Sequence, residues 1–126
     1  MTPWRLSEFL RENPPAGQIF NPDWWGDWLT WDGPPGLRVF MTTQMHLASR
    51  AVWIDYRIVR ENRTGWDHVL ERYGVQTVVL DKRRQKTLTG YLRSSSDWRV
   101  LYEDELGIVF GRVPRDQTPG KPSQKA

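Results

Sequence analysis

The chain has 126 residues, 38% apolar and 13% aromatic, with eight tryptophans and no cysteine. That is enough for one domain whose core leans on large rings, and it excludes a disulfide, a thiolate metal site or a cysteine nucleophile. Residues 1–113 hold 15 Lys/Arg against 14 Asp/Glu, so most of the +3 net charge lies in the tail and the clustered basic face of a nucleic-acid binder is missing.

Thr2-Pro3 reads as a helix start, with Thr as N-cap and Pro at the first helical position, and Leu6, Phe9 and Leu10 follow at helical spacing. Asn13-Pro14-Pro15-Ala16-Gly17 turns the chain into a short buried strand, Gln18 to Asn21. The stretch Asn21 to Trp31 holds four of the eight tryptophans and marks a strand handing over to a helix, with Asp23 as the expected N-cap. Trp24, Trp28 and Trp31 fall on one stripe, which should pack between helix and sheet, with Trp25 and Leu29 beside it. Gly26 lies between Trp25 and Asp27. Glycine costs about 1 kcal/mol of helix propensity relative to alanine, so a close approach of backbone or ring at Gly26 should offset it.

Asp32-Gly33-Pro34-Pro35-Gly36 ends this helix, and Leu37 to Met41 reads as a second strand. A long helix is expected from about 44 to 61, its apolar stripe marked by Leu47, Ala51, Ile54 and Ile58 and its arginines solvated. Thr64-x-x-Asp67 resembles a capping box, opening a helix with Trp66, Val69, Leu70 and Tyr73 on one face, closed by Gly74 as a left-handed cap. Gln76 to Leu80 is β-branched and continuous, hence a central strand. A polar connection, Asp81 to Lys86, leads to a helix with Leu88, Tyr91 and Leu92. Trp98 to Glu103 and Leu106 to Arg112 form a hairpin around an acidic turn. The alternation predicts an α/β fold: a single three-layer Rossmann-like domain over 1–113, about five strands, mostly parallel with a C-terminal antiparallel hairpin. Residues 114–126 read as a disordered tail.

The chemistry is sparse. No phosphate-binding glycine loop, nucleophile elbow or histidine pair at metal-ligand spacing occurs, so no cofactor, metal or catalytic residue is assigned. No apolar run approaches the roughly 20 residues that span a bilayer, and no signal-peptide core is present, so the chain reads as soluble. Strand carboxyl ends form ligand crevices in α/β sheets, which makes Asn21, Asp23, Trp24, Trp25, Asp27 and Trp28 the candidate ligand contacts. Asp23 and Asp27 are four apart, but helix capping accounts for the first and solvent for the second. Lys82-Arg83-Arg84, after the central strand, could meet a phosphate, a lipid headgroup or an acidic neighbour, or stand in solvent.

Phe20-Asn21, Trp25-Gly26, Leu29, Trp66, Leu70, Tyr73-Gly74-Val75, Val78-Val79-Leu80, Trp98, Val100, Tyr102-Glu103-Asp104 and Val109-Phe110-Gly111-Arg112 stand in a familiar order. Over about residues 4 to 112 this order resembles the soluble C-terminal domain of bacterial multi-spanning glycosyltransferases that use polyprenyl-phosphate sugars (the GT-C type). Where such domains often carry an Asp-Gly-Arg-like segment at the second strand end, Met41-Thr42-Thr43-Gln44 stands here. The resemblance implies a non-catalytic accessory domain on the extracytoplasmic face of a bacterial membrane. Its partners would be a membrane-embedded glycosyltransferase portion, in the same or an adjacent chain, and a glycan or lipid-linked sugar. Any enzyme it belongs to would be a glycosyltransferase, with the catalytic acid in the membrane portion. The alternative is a stand-alone saccharide- or ligand-binding module that uses the tryptophan-rich corner.

Overall fold

The computed structural model describes residues 2–42 and 49–114. In chain order it contains α1 (Trp4–Glu12), β1 (Ile19–Phe20), α2 (Asp23–Asp32), α3 (Arg50–Arg60), α4 (Trp66–Arg72), β2 (Thr77–Asp81), α5 (Lys86–Ser94), β3 (Trp98–Glu103) and β4 (Gly107–Arg112). The tail expected from 114 falls, beyond Pro114, outside the described residues, as do Leu47 and the first turns of the long helix expected from 44.

The fold is α+β, which corrects the expected Rossmann-like, mostly parallel sheet of about five strands. Four strands form one mixed sheet in the order β1-β2-β4-β3. Only β1–β2 is parallel; β2–β4 and β3–β4 are antiparallel. The crossover β2-α5-β3 leaves a gap, and β4 folds back into it instead of lying at the edge. Burial explains the placement. Gly107 to Gly111 are all buried, so β4 suits a central position, whereas β3 exposes Arg99, Val100 and Leu101.

The missing fifth strand has a local cause. Leu37 to Met41 does run alongside β1, but only Gln18 and Arg38 form a bridge. The Ile19 N–H donates to the Arg38 carbonyl (3.1 Å). Beyond that point side-chain amides replace the ladder. Gln18 Nε2 donates to the Ile19 and Arg38 carbonyls (2.9 and 2.8 Å). Asn21 Oδ1 accepts from the Phe40 N–H (2.7 Å), and Asn21 Nδ2 donates to the Met41 carbonyl (2.8 Å). Buried backbone groups need partners, and here two amide side chains supply them.

Helices cover both faces of the sheet. On one, Leu6 and Leu10 of α1 and Trp25 and Leu29 of α2 pack with Ile19, Val79 and Val109. On the other, Tyr56, Val59, Val69, Leu70, Leu88 and Leu92 from α3, α4 and α5 pack with Val78, Leu80, Ile108 and Phe110. Alternate residues of β2 and β4 thus serve opposite cores, as strand geometry requires.

Several local expectations are corrected. Pro22, not Asp23, is the N-cap of α2 and makes no side-chain cap bond. Pro3 takes the N-cap place in α1, which starts at Trp4. Gly65, with φ 91°, is the N-cap of α4, so the Thr64–Asp67 capping box does not form. In α3 the inward face is Val52, Trp53, Tyr56 and Val59 with Ile58, the one described residue of the expected stripe that packs against the core; Ala51 and Ile54 are exposed. Arg60 is not solvated but lies over the Trp53 and Tyr56 rings. Gly74 does adopt a left-handed φ of 69°, and the Val75 N–H reaches back to the Leu70 carbonyl (2.9 Å).

Candidate functional site

The strand directions gather four chain ends at one end of the sheet. β1, β2 and β3 finish there and β4 begins there, since Asp81 is in register with Gly107 and Glu103 with Ile108. The α2 corner closes this end from one side.

The corner is built on Gly26. It is buried, and a methyl group at its Cα would drive into the Met41 carbonyl oxygen and lie 2.8 Å from both Met41 C and Thr42 Cα. That same carbonyl receives Asn21 Nδ2. Glycine therefore lets α2 lie directly on the edge segment that Asn21 holds. This contact sets the helix's rotation. Trp25 (3% exposed) and Leu29 turn inward, Trp24 and Trp28 are half-buried, and Trp31 is 77% exposed. The stripe expected to face the sheet is therefore the flank of the helix. The Trp25 ring lies over Gly107, whose missing side chain leaves room for it and for Leu6.

Asp23 is engaged by α3. The Tyr56 hydroxyl donates to Asp23 Oδ1 and accepts from the Asp23 N–H, both at 2.7 Å, and Arg60 stands 3.9 Å from Oδ1. Burial, then the Asp23 carboxylate, push the Tyr56 hydroxyl well above the usual phenol range. Trp28 Nε1 donates to Ser7 Oγ (3.3 Å), which in turn bonds Asp32 Oδ2 (2.5 Å). Asp27 is exposed on α2.

Two turns at this end are built alike. β2 ends in Asp81, whose Oδ1 accepts from the Arg83 and Arg84 N–H groups (3.0 and 3.2 Å) and whose Oδ2 accepts from Trp24 Nε1 (3.0 Å). Just past β3, Asp104 Oδ1 accepts from the Leu106 and Gly107 N–H groups (both 2.8 Å) and Oδ2 from the Tyr102 hydroxyl (2.6 Å). Each carboxylate folds over two following amides and is held by an aromatic donor. Lys82 laces the turns together: its N–H donates to the Leu106 carbonyl (3.0 Å) and its ammonium to the Asp104 carbonyl (2.8 Å). Burial pushes the Asp104 carboxyl up, but the bonds from Tyr102, Gly107 and Leu106, with the Lys82 charge, outweigh it and hold the group below its usual range. Burial and the Asp104 carboxylate raise the Tyr102 hydroxyl to about 12.

Between the α2 corner and the Asp81 turn lies a cleft of about 360 Å³ lined by Trp24, Trp25, Asp81, Arg83, Arg84 and Leu106. The Arg84 guanidinium stands over the Trp24 ring, 5.2 Å from its centroid. Of the residues singled out from sequence, the structure brings Trp24 and Trp25 of the six candidate contacts, and Arg83 and Arg84 of the basic run, to this cleft. Asn21 is buried just past β1, where it holds the edge segment, and Asp23, Asp27 and Trp28 lie elsewhere on α2. Asp81 was missed as a site residue. Its signal was an acid at a strand end followed at once by a basic run. Among the described residues no group of three or more His, Asp or Glu could hold a metal ion, and no helix is long and apolar enough to cross a membrane. No family model, curated protein or solved structure matches the chain.

Proposed function

We propose that this chain is a non-catalytic accessory domain that binds a sugar phosphate in the Trp24–Arg84 cleft, serving a membrane glycosyltransferase of the polyprenyl-phosphate-sugar type at its extracytoplasmic face. The observation that carries the reading is the arginine-capped Trp24 indole beside Asp81, whose carboxylate is fully engaged by internal donors. An indole offers a flat apolar face to the C–H face of a sugar ring, and the Arg84 side chain that lies over Trp24 uncovers that face when it turns to a phosphate. Arginine offers a fork that suits phosphate. General acid–base work needs a titratable side chain within reach of the substrate's proton. Among the described residues Asp81 is the one acid lining the cleft, and both of its oxygens already accept hydrogen bonds. The rest of the lining is indole, arginine and leucine. Binding, not bond-making, is what this set of groups can do.

The test is a titration of the 126-residue chain with glucose 1-phosphate and inorganic phosphate, following the Trp24 indole N–H by NMR. A saturable shift with the sugar phosphate, lost in Arg84→Ala, is the expected result. No shift with any sugar phosphate would remove the reading, and sugar transfer from a polyprenyl-phosphate donor by the purified chain would overturn its non-catalytic part.

A further inference from the structure

A second cleft, of about 480 Å³, adjoins the first. Thr2, Pro3, Trp4, Arg5, Asp104, Glu105 and Leu106 line it, so Leu106 is a wall of both. Both volumes fall in the range of small-molecule sites. The second cleft repeats the first in its parts. Trp4 is 55% exposed, and the Arg5 guanidinium stands over its ring at 5.1 Å from the centroid. Its floor is the Asp104 turn, which is built like the Asp81 turn and tied to it through Lys82. The floors of the two clefts are therefore joined by hydrogen bonds.

The clefts differ in charge. The first has Arg83 and Arg84 against Asp81. The second has Arg5 against Asp104 and Glu105. Asp104 is turned inward onto the Leu106 and Gly107 amides and Tyr102, which leaves Glu105 as the exposed acid. An anionic ring would meet Glu105 in the second cleft, whereas a neutral ring would offer it hydroxyl donors.

We infer that the two clefts are subsites of one groove, which takes a saccharide of at least two rings with its phosphate at Arg83–Arg84 and a neutral ring on Trp4. This rests on the sugar-phosphate reading of the first cleft and gives it a direction: the phosphorylated end lies by β2 and the chain runs past Leu106 toward the start of α1.

Maltose 1-phosphate, glucose 1-phosphate and maltose are the probes, with affinities measured by NMR titration and the indole N–H signals of Trp24 and Trp4 followed separately. Maltose 1-phosphate should bind about tenfold more tightly than glucose 1-phosphate, one added stacked ring being worth roughly that factor, and should alone shift both indoles. Trp4→Ala should erase the tenfold gain and leave glucose 1-phosphate affinity unchanged. Trp4 is largely exposed, so the fold should survive its loss, which a thermal melt checks. Arg84→Ala should weaken both phosphorylated probes alike. Equal affinity of the two sugar phosphates, or a gain that persists in Trp4→Ala, would overturn the two-subsite groove and leave the first cleft standing. Failure of every phosphorylated probe to bind would overturn the first cleft and this inference together.

Discussion

The α2 corner faces a cleft with the Asp81 turn, to which the Asp104 turn is tied through Lys82, but corner and turns are held by different physics. The corner, from Asn21 to Leu29, depends on shape and on neutral buried hydrogen bonds: Gly26 against the Met41 carbonyl, Trp25 over Gly107, Asn21 in place of a strand. The turns depend on carboxylate hydrogen bonds and ion pairs: Asp81 buried at the end of β2, Asp104 beside it, and Glu103 paired with Lys82 nearer solvent. Shape is indifferent to pH and salt, whereas ion pairs near solvent respond to both. The corner therefore fixes where the cleft is, and the turns set what charge it presents. Substitutions should separate the two roles.

The largest effect should come from Trp25→Ala. The ring is 3% exposed and packs with Leu6, Leu10 and Leu29, and truncating such a ring typically costs about 3–5 kcal/mol. Chemical denaturation would measure it; a loss under 1 kcal/mol would mean that the corner is not a packing hub. Gly26→Ala should follow at about 3 kcal/mol, the upper part of the overpacking range, because the added methyl meets backbone and not the movable end of a side chain. A parent-like thermal melt would contradict that contact. Asn21→Ala should cost about 2 kcal/mol by orphaning the Phe40 N–H and removing one partner from the Met41 carbonyl. Amide hydrogen exchange at Phe40 should quicken with it, and unchanged protection would show that the amide has another acceptor.

The same contrast decides what the sequence could reveal. The helix and strand positions were legible because apolar spacing and breakers such as Asn13-Pro14-Pro15 and Gly74 act locally. Gly26 was legible too, since a helical glycine among bulky rings needs a reason. The sheet order was not, because β4's central place depends on long-range pairing with β2 and on packing of Gly107 under Trp25. The edge segment looked like a strand because Leu37 to Met41 has strand composition; what ended the ladder was the side chains of Gln18 and Asn21, on the other partner. In the cleft, the tryptophans drew attention to α2, but its polar wall comes from a turn some 55 residues later in the chain, where only the fold brings Asp81 to Trp24.

The smallest effect should be at Glu103, and it is the one that tells the two regions apart. Glu103 sits between Arg93, which donates to both of its oxygens, and Lys82, at 2.7 Å. The bonds from Arg93, then Lys82, hold its carboxyl at about 2, below the ordinary 4.5. A carboxyl depressed by folding stabilises the native state fully above its unfolded pKa, and that stability fades as pH falls from about 4.5 through about 2. The side chain is about a third exposed, so solvent screening keeps the contribution under about 1 kcal/mol. Glu103→Gln should therefore cost a few tenths of a kcal/mol to about 1 kcal/mol at pH 7, and the variant should converge on the parent as pH approaches 2. Urea unfolding at several pH values would show this. The Trp25 and Gly26 variants, which change no titrating group, should keep the same deficit over that range. A Glu103→Gln deficit that did not shrink in acid would mean the side chain acts by packing, and the turns would then be held in the same way as the corner.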